Sequence, residues 1–168
     1  MIAAADFKRV LSHFASGVTI VTTRDADGRP AGLTASAFTS VSLDPPLILV
    51  CIAHNAQSFP TLKASKGFTV NILSQSQETI SNRFASSVSS GPEKFQGVAH
   101  RAGTLGYPVI EGARAYLECH TVHAYSGGDH TIFVGQVEAA DGEAESGVEP
   151  LLYYRGKYGR LQPPGGSS

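Results

Sequence analysis

Two long runs rich in β-branched and aromatic residues, Ala113 to Ala124 and Thr131 to Ala140, flank the turn Gly128-Asp129-His130. Strand-forming runs joined by turn chemistry read as an antiparallel pair, so the chain is expected to build around a sheet. Gly128 lets the backbone turn sharply, and a histidine at the lip of a strand suits a substrate-facing site. Taken alone, the turn reads equally well as a surface hairpin whose histidine caps the strand.

The rest of the chain follows the same pattern. Asp6 is expected to cap a short helix whose Phe7, Val10, Leu11 and Phe14 repeat at i, i+3, i+4 and i+7, an amphipathic helix lying on a core. Val18 to Thr23 and Ala31 to Ala37 read as an antiparallel hairpin across the turn Asp25-Ala26-Asp27-Gly28. Val41 to Leu43 runs into Asp44-Pro45-Pro46, whose prolines interrupt a ladder, and a new strand spans Leu47 to Ala53. A polar loop, His54 to Ser58, leads to a short helix through Leu62, then a strand from Phe68 to Leu73 and a helix from Gln75 to Ala85. Ser86 to Pro92 is a Ser/Gly-rich loop, expected to be a flap over a site, and the chain closes with Leu151 to Arg160 as a short strand and an aromatic-basic turn. Six or seven short-spaced strands with helices only as inserts point to a mainly β fold, a closed or nearly closed antiparallel barrel. Residues 1–161 are read as one domain and residues 162–168 as a disordered tail.

Composition narrows the function. A formal net charge of -1 gives no field strong enough to recruit nucleic acid. The apolar runs fall far short of the roughly 20 residues of a membrane helix, so no membrane is expected and the cytoplasm is the default location. Cys51 and Cys119 are read as reduced, buried thiols. Strand alternation would put Cys119 and His123 on one face and His120 on the other, which argues against a metal site. No G-x-G-x-x-G, P-loop, G-x-S-x-G elbow or H-E-x-x-H helix occurs, so any nucleotide is held in another way and a hydrolase is disfavoured. The segment Leu33 to Pro46 sets Thr34, Ser36, Thr39, Ser40 and Ser42 among small residues. Such a shelf can offer hydroxyls and backbone N–H groups to an anionic or ring-shaped ligand, and reads otherwise as a solvated edge strand.

The order of this shelf, the loop at Asn55 to Ser58, Asn82-Arg83-Phe84-Ala85, Gly128-Asp129-His130 and the tail Tyr154-Arg155-Gly156-Lys157-Tyr158-Gly159 resembles the short-chain flavin reductases, from about Phe7 to Leu161. These are reductase components of two-component flavin monooxygenases, with an FMN-binding split-barrel fold. The resemblance implies a homodimer that reduces FMN or FAD with NADH or NADPH and passes reduced flavin to a partner oxygenase. By the same likeness, Thr34, Ala35 and Ser36 meet the flavin ring, Ser40 and Val41 lie beside its polar edge, and Cys51 and Ile52 run along the ribityl chain. Asn55 and Ser58 lie near the phosphate, with Arg83 as its cation and Phe84 packed nearby. Gly128 and Asp129 shape the turn that presents His130 to the nicotinamide, and Tyr154 and Tyr158 help form that pocket. Ala37 stands where many members carry serine. Rings stacked at near-attack distance need positioning more than an acid or base, so His130 is expected to orient the nicotinamide. No basic cluster suited to a 2′-phosphate stands out, which favours NADH. Alternatives are a flavin-binding electron carrier, a flavin-dependent reductase of a ferric chelate or corrinoid, and a non-catalytic ligand-binding barrel.

Overall fold

A computed structural model describes residues 1–87, 91–142 and 149–161. The helices are α1 (Ala4–Leu11), α2 (Phe59–Ala64) and α3 (Glu78–Ala85). The strands are β1 (Ser16–Gly17), β2 (Thr19–Arg24), β3 (Pro30–Ala35), β4 (Phe38–Leu43), β5 (Pro46–Ala53), β6 (Gly67–Ile72), β7 (His100–Ala102), β8 (Pro108–Ile110), β9 (Ala115–Gly127), β10 (His130–Gly142), β11 (Leu152–Tyr154) and β12 (Lys157–Gly159). The main sheet has seven strands in the order β3-β2-β6-β9-β10-β5-β4, and every neighbouring pair in it is antiparallel.

Its two edge strands, β3 and β4, are consecutive in the chain, with only Ser36 and Ala37 between them. Laid flat, seven strands would hold their edges about 29 Å apart. The three Cα steps from Ala35 to Phe38 reach at most about 11 Å, so the sheet has to curl until its edges meet. The β3 and β4 edges are not hydrogen-bonded to each other, so the barrel is split rather than closed. Ser36 and Ala37 cross the split, and the Cys51 N–H donates to the Ala37 carbonyl there at 3.0 Å. The predicted shelf is therefore two strands on opposite edges, not one continuous strand.

Alternation along the strands fills the barrel. Val50, Ile52, Phe68, Val70, Cys119 and Phe133 point inward and are essentially inaccessible. A second core of Val18, Ile20, Leu73, Phe84, Phe95, Val98, Ile110 and Leu151 lies around α3 and the C-terminal strands. Gly67 allows close approach of β9, because a Cβ there would stand 2.2 Å from the Cys119 carbonyl oxygen. Gly67→Ala is expected to cost about 3 kcal/mol or more through overpacking, read as a lowered urea midpoint with an unchanged m-value.

Several expectations change. The helix cap is Ala3, with no side-chain bond, while Asp6 lies in the first turn and pairs with Arg9 at 3.2 Å. Helix α1 does not lie on a core, since Phe7, Val10, Leu11 and Phe14 are all more than half exposed. It is held at its C-terminal end, where the Arg155 N–H donates to the Ser12 carbonyl and His13 packs edge-on against Tyr154. A bulge at Val122, against Val134 and Gly135, reverses the alternation of β9, so Cys119 and His123 face opposite sides. Cys51 is half-buried rather than buried, and its thiol is pushed up by that burial; the Cys119 thiol is pushed up to about 12. The expected helix from Gln75 opens as a 3-10 turn, Gln75–Gln77, before α3 begins. The hairpin of β7 and β8 carries no signal in the sequence. It is held from beneath by Glu118, whose buried carboxylate accepts the Thr104 and Leu105 N–H groups at 2.8 and 2.6 Å. The centre of the expected flap, residues 88–90, and the tail 162–168 lie outside the described residues.

Candidate active site

Thr34 sits near the end of β3, and its hydroxyl donates to the Ser81 carbonyl of α3 at 2.6 Å. That bond ties the barrel edge to the helix and creates a wall common to two clefts. The first, 290 Å³, opens between α3 and the β11–β12 hairpin and is lined by Thr34, Ser36, Ser81, Asn82, Tyr153 and Tyr158 among others. The second, 300 Å³, opens between the end of β5 and the end of α3 and is lined by Thr34, Ala53, Asn55, Gln57, Ser87 and Lys94 among others. Thr34 and Ala85 line both, so the two clefts adjoin.

Tyr158 organises the first cleft. Its hydroxyl donates to Asn82 Oδ1 at 3.1 Å, and the Ser81 hydroxyl, 2.8 Å away, then donates to Tyr158. Tyr153 is the cross-strand partner of Tyr158 and packs against it at 5.5 Å. Strand alternation therefore puts Tyr153 in the cleft and turns the expected Tyr154 away, towards His13.

Lys94 dominates the second cleft. It lies in the 3-10 turn Pro92–Phe95, is only 3% exposed, and donates from Nζ to the Phe84 carbonyl at 3.0 Å. An ammonium has three donors, so capacity remains for an anion. Burial pulls its pKa below the ordinary lysine value. No carboxylate lines this cleft among the described residues. The expected cation, Arg83, is instead exposed, outside both linings, with its guanidinium donating to the Gln96 carbonyl. On a helix one residue turns about 100°, and Phe84, its neighbour, is the residue that turns inward.

The remaining sequence-derived positions divide in the same way. Asn55 lines the second cleft, as do Phe84 and Ala85. Ser58 is buried and donates to the Gly32 carbonyl at 2.7 Å, while Gln57 takes the place in the cleft. Ala35 and Ile52 point into the core, and Cys51 lies on the opposite face of β5, half-buried. Ser40 and Val41 are exposed on β4, Val41 as the extra residue of a bulge. Tyr153, Gln57, Ser87 and Lys94 were missed. The alternation of the last strand could have separated Tyr153 from Tyr154; nothing in Pro92 to Phe95 marks Lys94 as buried.

Gly128 and Asp129 form a two-residue connection between β9 and β10, with Gly128 at φ +71°. A left-handed first position matches the right-handed twist of paired strands. The Asp129 carbonyl accepts the His54 N–H at 2.9 Å, and His54 Nε2 lies 3.0 Å from the Thr131 hydroxyl. These bonds pin the hairpin end to the loop that begins the second cleft. His130 pairs with Ala53, which lines that cleft, and cross-strand partners share a face. Its Nδ1 lies 2.7 Å from Asp129 Oδ1, and the imidazole holds the Asp129 carboxyl below its usual range. The structure thus brings Thr34, Ser36, Asn55 and Tyr158 around two adjoining clefts, while His130 lies outside both linings, across the β5–β10 pair from Ala53.

A family model described as the flavin reductase like domain matches residues 11–162. This chain belongs to that family. The reductase subunit HsaB of a flavin-dependent monooxygenase from Mycobacterium tuberculosis is 38% identical over 94% of this chain and 82% of that protein. A probable flavin reductase from Rhizobium meliloti is 42% identical over 86% of the chain, which spans only 45% of that relative. Among solved structures, the NADH:FAD oxidoreductase SgcE6 of Streptomyces globisporus superposes with a TM-score of 0.89 at 37% identity, over 98% of each chain. The split barrel is thus the architecture of this flavin reductase family, with both clefts at the split.

Proposed function

We propose that this chain reduces free or loosely held FMN or FAD with NADH or NADPH and supplies the reduced flavin to a partner oxygenase. The observation that carries this reading is the double cleft: a polar, aromatic-edged half beside a half that, among the described residues, buries one cation and no acid. This donor set fits a molecule with a flat heterocycle and a phosphate, as the flavin reductase relatives would require. Lys94, Asn55 and the Gln57–Ser87 pair would hold the phosphate. Thr34, Ser36 and Asn82 would face the polar side of the ring. When both cofactors are bound, the nicotinamide supplies a hydride to the flavin, and that chemistry is the cofactors' own. The protein holds the two rings together and excludes water, with His130, fixed by Asp129, orienting the nicotinamide amide.

A second copy of the chain completes the reading. Val41, Leu43 and Tyr125 on the outer face of the sheet are at least half exposed, as is the apolar stripe of α1. A homodimer would cover these side chains and wall the open side of the cleft. Leu43→Glu is expected to shift the sedimentation coefficient towards the monomer; an unchanged dimer would place the interface elsewhere.

The function is tested by crossing NADH and NADPH against FMN, FAD and riboflavin in an anaerobic flavin-bleaching assay. Rapid bleaching with at least one pair is expected, with NADH the better donor. A purified chain that neither binds flavin nor accelerates its bleaching would refute the reading.

A further inference from the structure

Ser81 and Tyr158 fix the direction of a short chain of hydroxyl protons at the wall of the first cleft. Ser81 is fully buried, and Tyr158, 2.8 Å away, is the one partner of its hydroxyl among the described residues. A buried O–H without an acceptor is costly, so the Ser81 proton goes to the Tyr158 oxygen. The Tyr158 proton is then left for Asn82 Oδ1, at 3.1 Å. An amide oxygen held in this way sets the whole group. The two Nδ2 N–H groups of Asn82, unpaired among the described residues, are left for whatever fills the cleft. Thr34 anchors the same turn of α3 through the Ser81 carbonyl. No charged side chain lines this cleft among the described residues, so a negative charge arriving there has only neutral donors to meet it. A hydroxyl such as that of Ser36 can turn to donate or accept, whereas a clamped amide N–H only donates.

We propose that Asn82, clamped by Tyr158, makes the ring cleft favour reduced over oxidised flavin by donating to the edge formed by N1 and the C2 carbonyl. The inference rests on the flavin reading above and deepens it: Asn82 touches the cofactor, and Tyr158 is a positioning residue. A hydride passed from nicotinamide C4 to flavin N5 carries two electrons and one proton, leaving an oxidised nicotinamide and a flavin whose negative charge is shared between N1 and the C2 oxygen. The same edge is thus a neutral acceptor before the transfer and an ionised one after it. Hydrogen bonds to ionised groups are about twice as strong as neutral ones. The amide of Asn82 therefore holds more tightly as charge arrives, and because Tyr158 has already aimed it, nothing has to reorganise.

The test is the midpoint potential of bound FMN, read by anaerobic dye equilibration, together with the Kd of oxidised FMN, for the wild type and two variants. Asn82→Asp keeps the shape of the side chain and replaces its donors with an ionised acceptor. It should weaken reduced FMN at least about tenfold more than oxidised FMN, a fall of about 30 mV or more for a two-electron couple. Tyr158→Phe frees the amide to rotate. It should lower the potential by a smaller amount and leave the Kd of oxidised FMN within about twofold of wild type. Melting temperatures check that both variants fold; Asn82 is exposed, so Asn82→Asp carries the test if Tyr158→Phe does not fold. An unchanged potential in Asn82→Asp, or equal weakening of both redox forms, would overturn the proposal. A wild-type potential in folded Tyr158→Phe would overturn the clamp. A wild type that binds FMN in neither redox state would overturn the flavin reading itself.

Discussion

Replacing Lys94 with methionine should weaken FMN binding by about 10- to 150-fold, the worth of a charge-assisted hydrogen bond of roughly 1.5 to 3 kcal/mol, while riboflavin affinity stays within about twofold. Methionine keeps the length and apolar stem of lysine, so the change isolates the charge. The comparison with riboflavin matters because it lacks the phosphate and still probes the ring cleft. Burial lowers the Lys94 pKa, so in the empty site the ammonium loses its proton at a lower pH than an exposed lysine. The advantage of FMN over riboflavin should therefore fade as pH rises, beginning below the ordinary lysine range, and Lys94→Met should abolish that dependence. Titration of both flavins across neutral and alkaline pH reads both effects. If FMN and riboflavin weaken together, Lys94 supports the fold of the cleft and does not meet a phosphate.

His130→Ala is expected to raise the KM for NADH about tenfold, lower turnover, and leave the flavin Kd unchanged, as follows from losing one polar contact to the nicotinamide alone. The side chain is 41% exposed and fixed by Asp129, so truncation removes little packing. Asp129→Asn should have a smaller effect of the same kind, because it loosens the imidazole without removing it. Steady-state kinetics at several flavin concentrations separate the two Michaelis constants. A parallel loss of flavin affinity would mean that the imidazole touches flavin instead.

Strand and helix order was legible because alternation and turn chemistry are local. Thr19 to Arg24 is β-branched, Asp25 to Gly28 is turn-forming, and the hairpin formed where those signals meet. The hairpin of β7 and β8 was not legible, because it depends on the buried Glu118 fourteen residues away from Thr104. The same distinction explains the site. Thr34, Asn55, Gly128, His130 and Tyr158 lie beside turns or strand ends, where sequence order already constrains their place. Arg83 is exposed because α3 turns its neighbour Phe84 towards the second core, and Lys94 is buried because the 3-10 turn Pro92–Phe95 packs against the end of that helix, a contact between segments that no local pattern records.

The sequence alone determined the mainly β architecture, the antiparallel hairpins β2–β3 and β9–β10 and the identity of the turn that carries His130, all consequences of periodicity and backbone preference within about ten residues. Tertiary structure alone decided that β3 and β4 become opposite edges of one sheet and that Lys94 is buried beside the second cleft. Those outcomes depend on which distant surfaces come together when the sheet curls, and solvent exclusion acts on that assembled surface rather than on any stretch of chain.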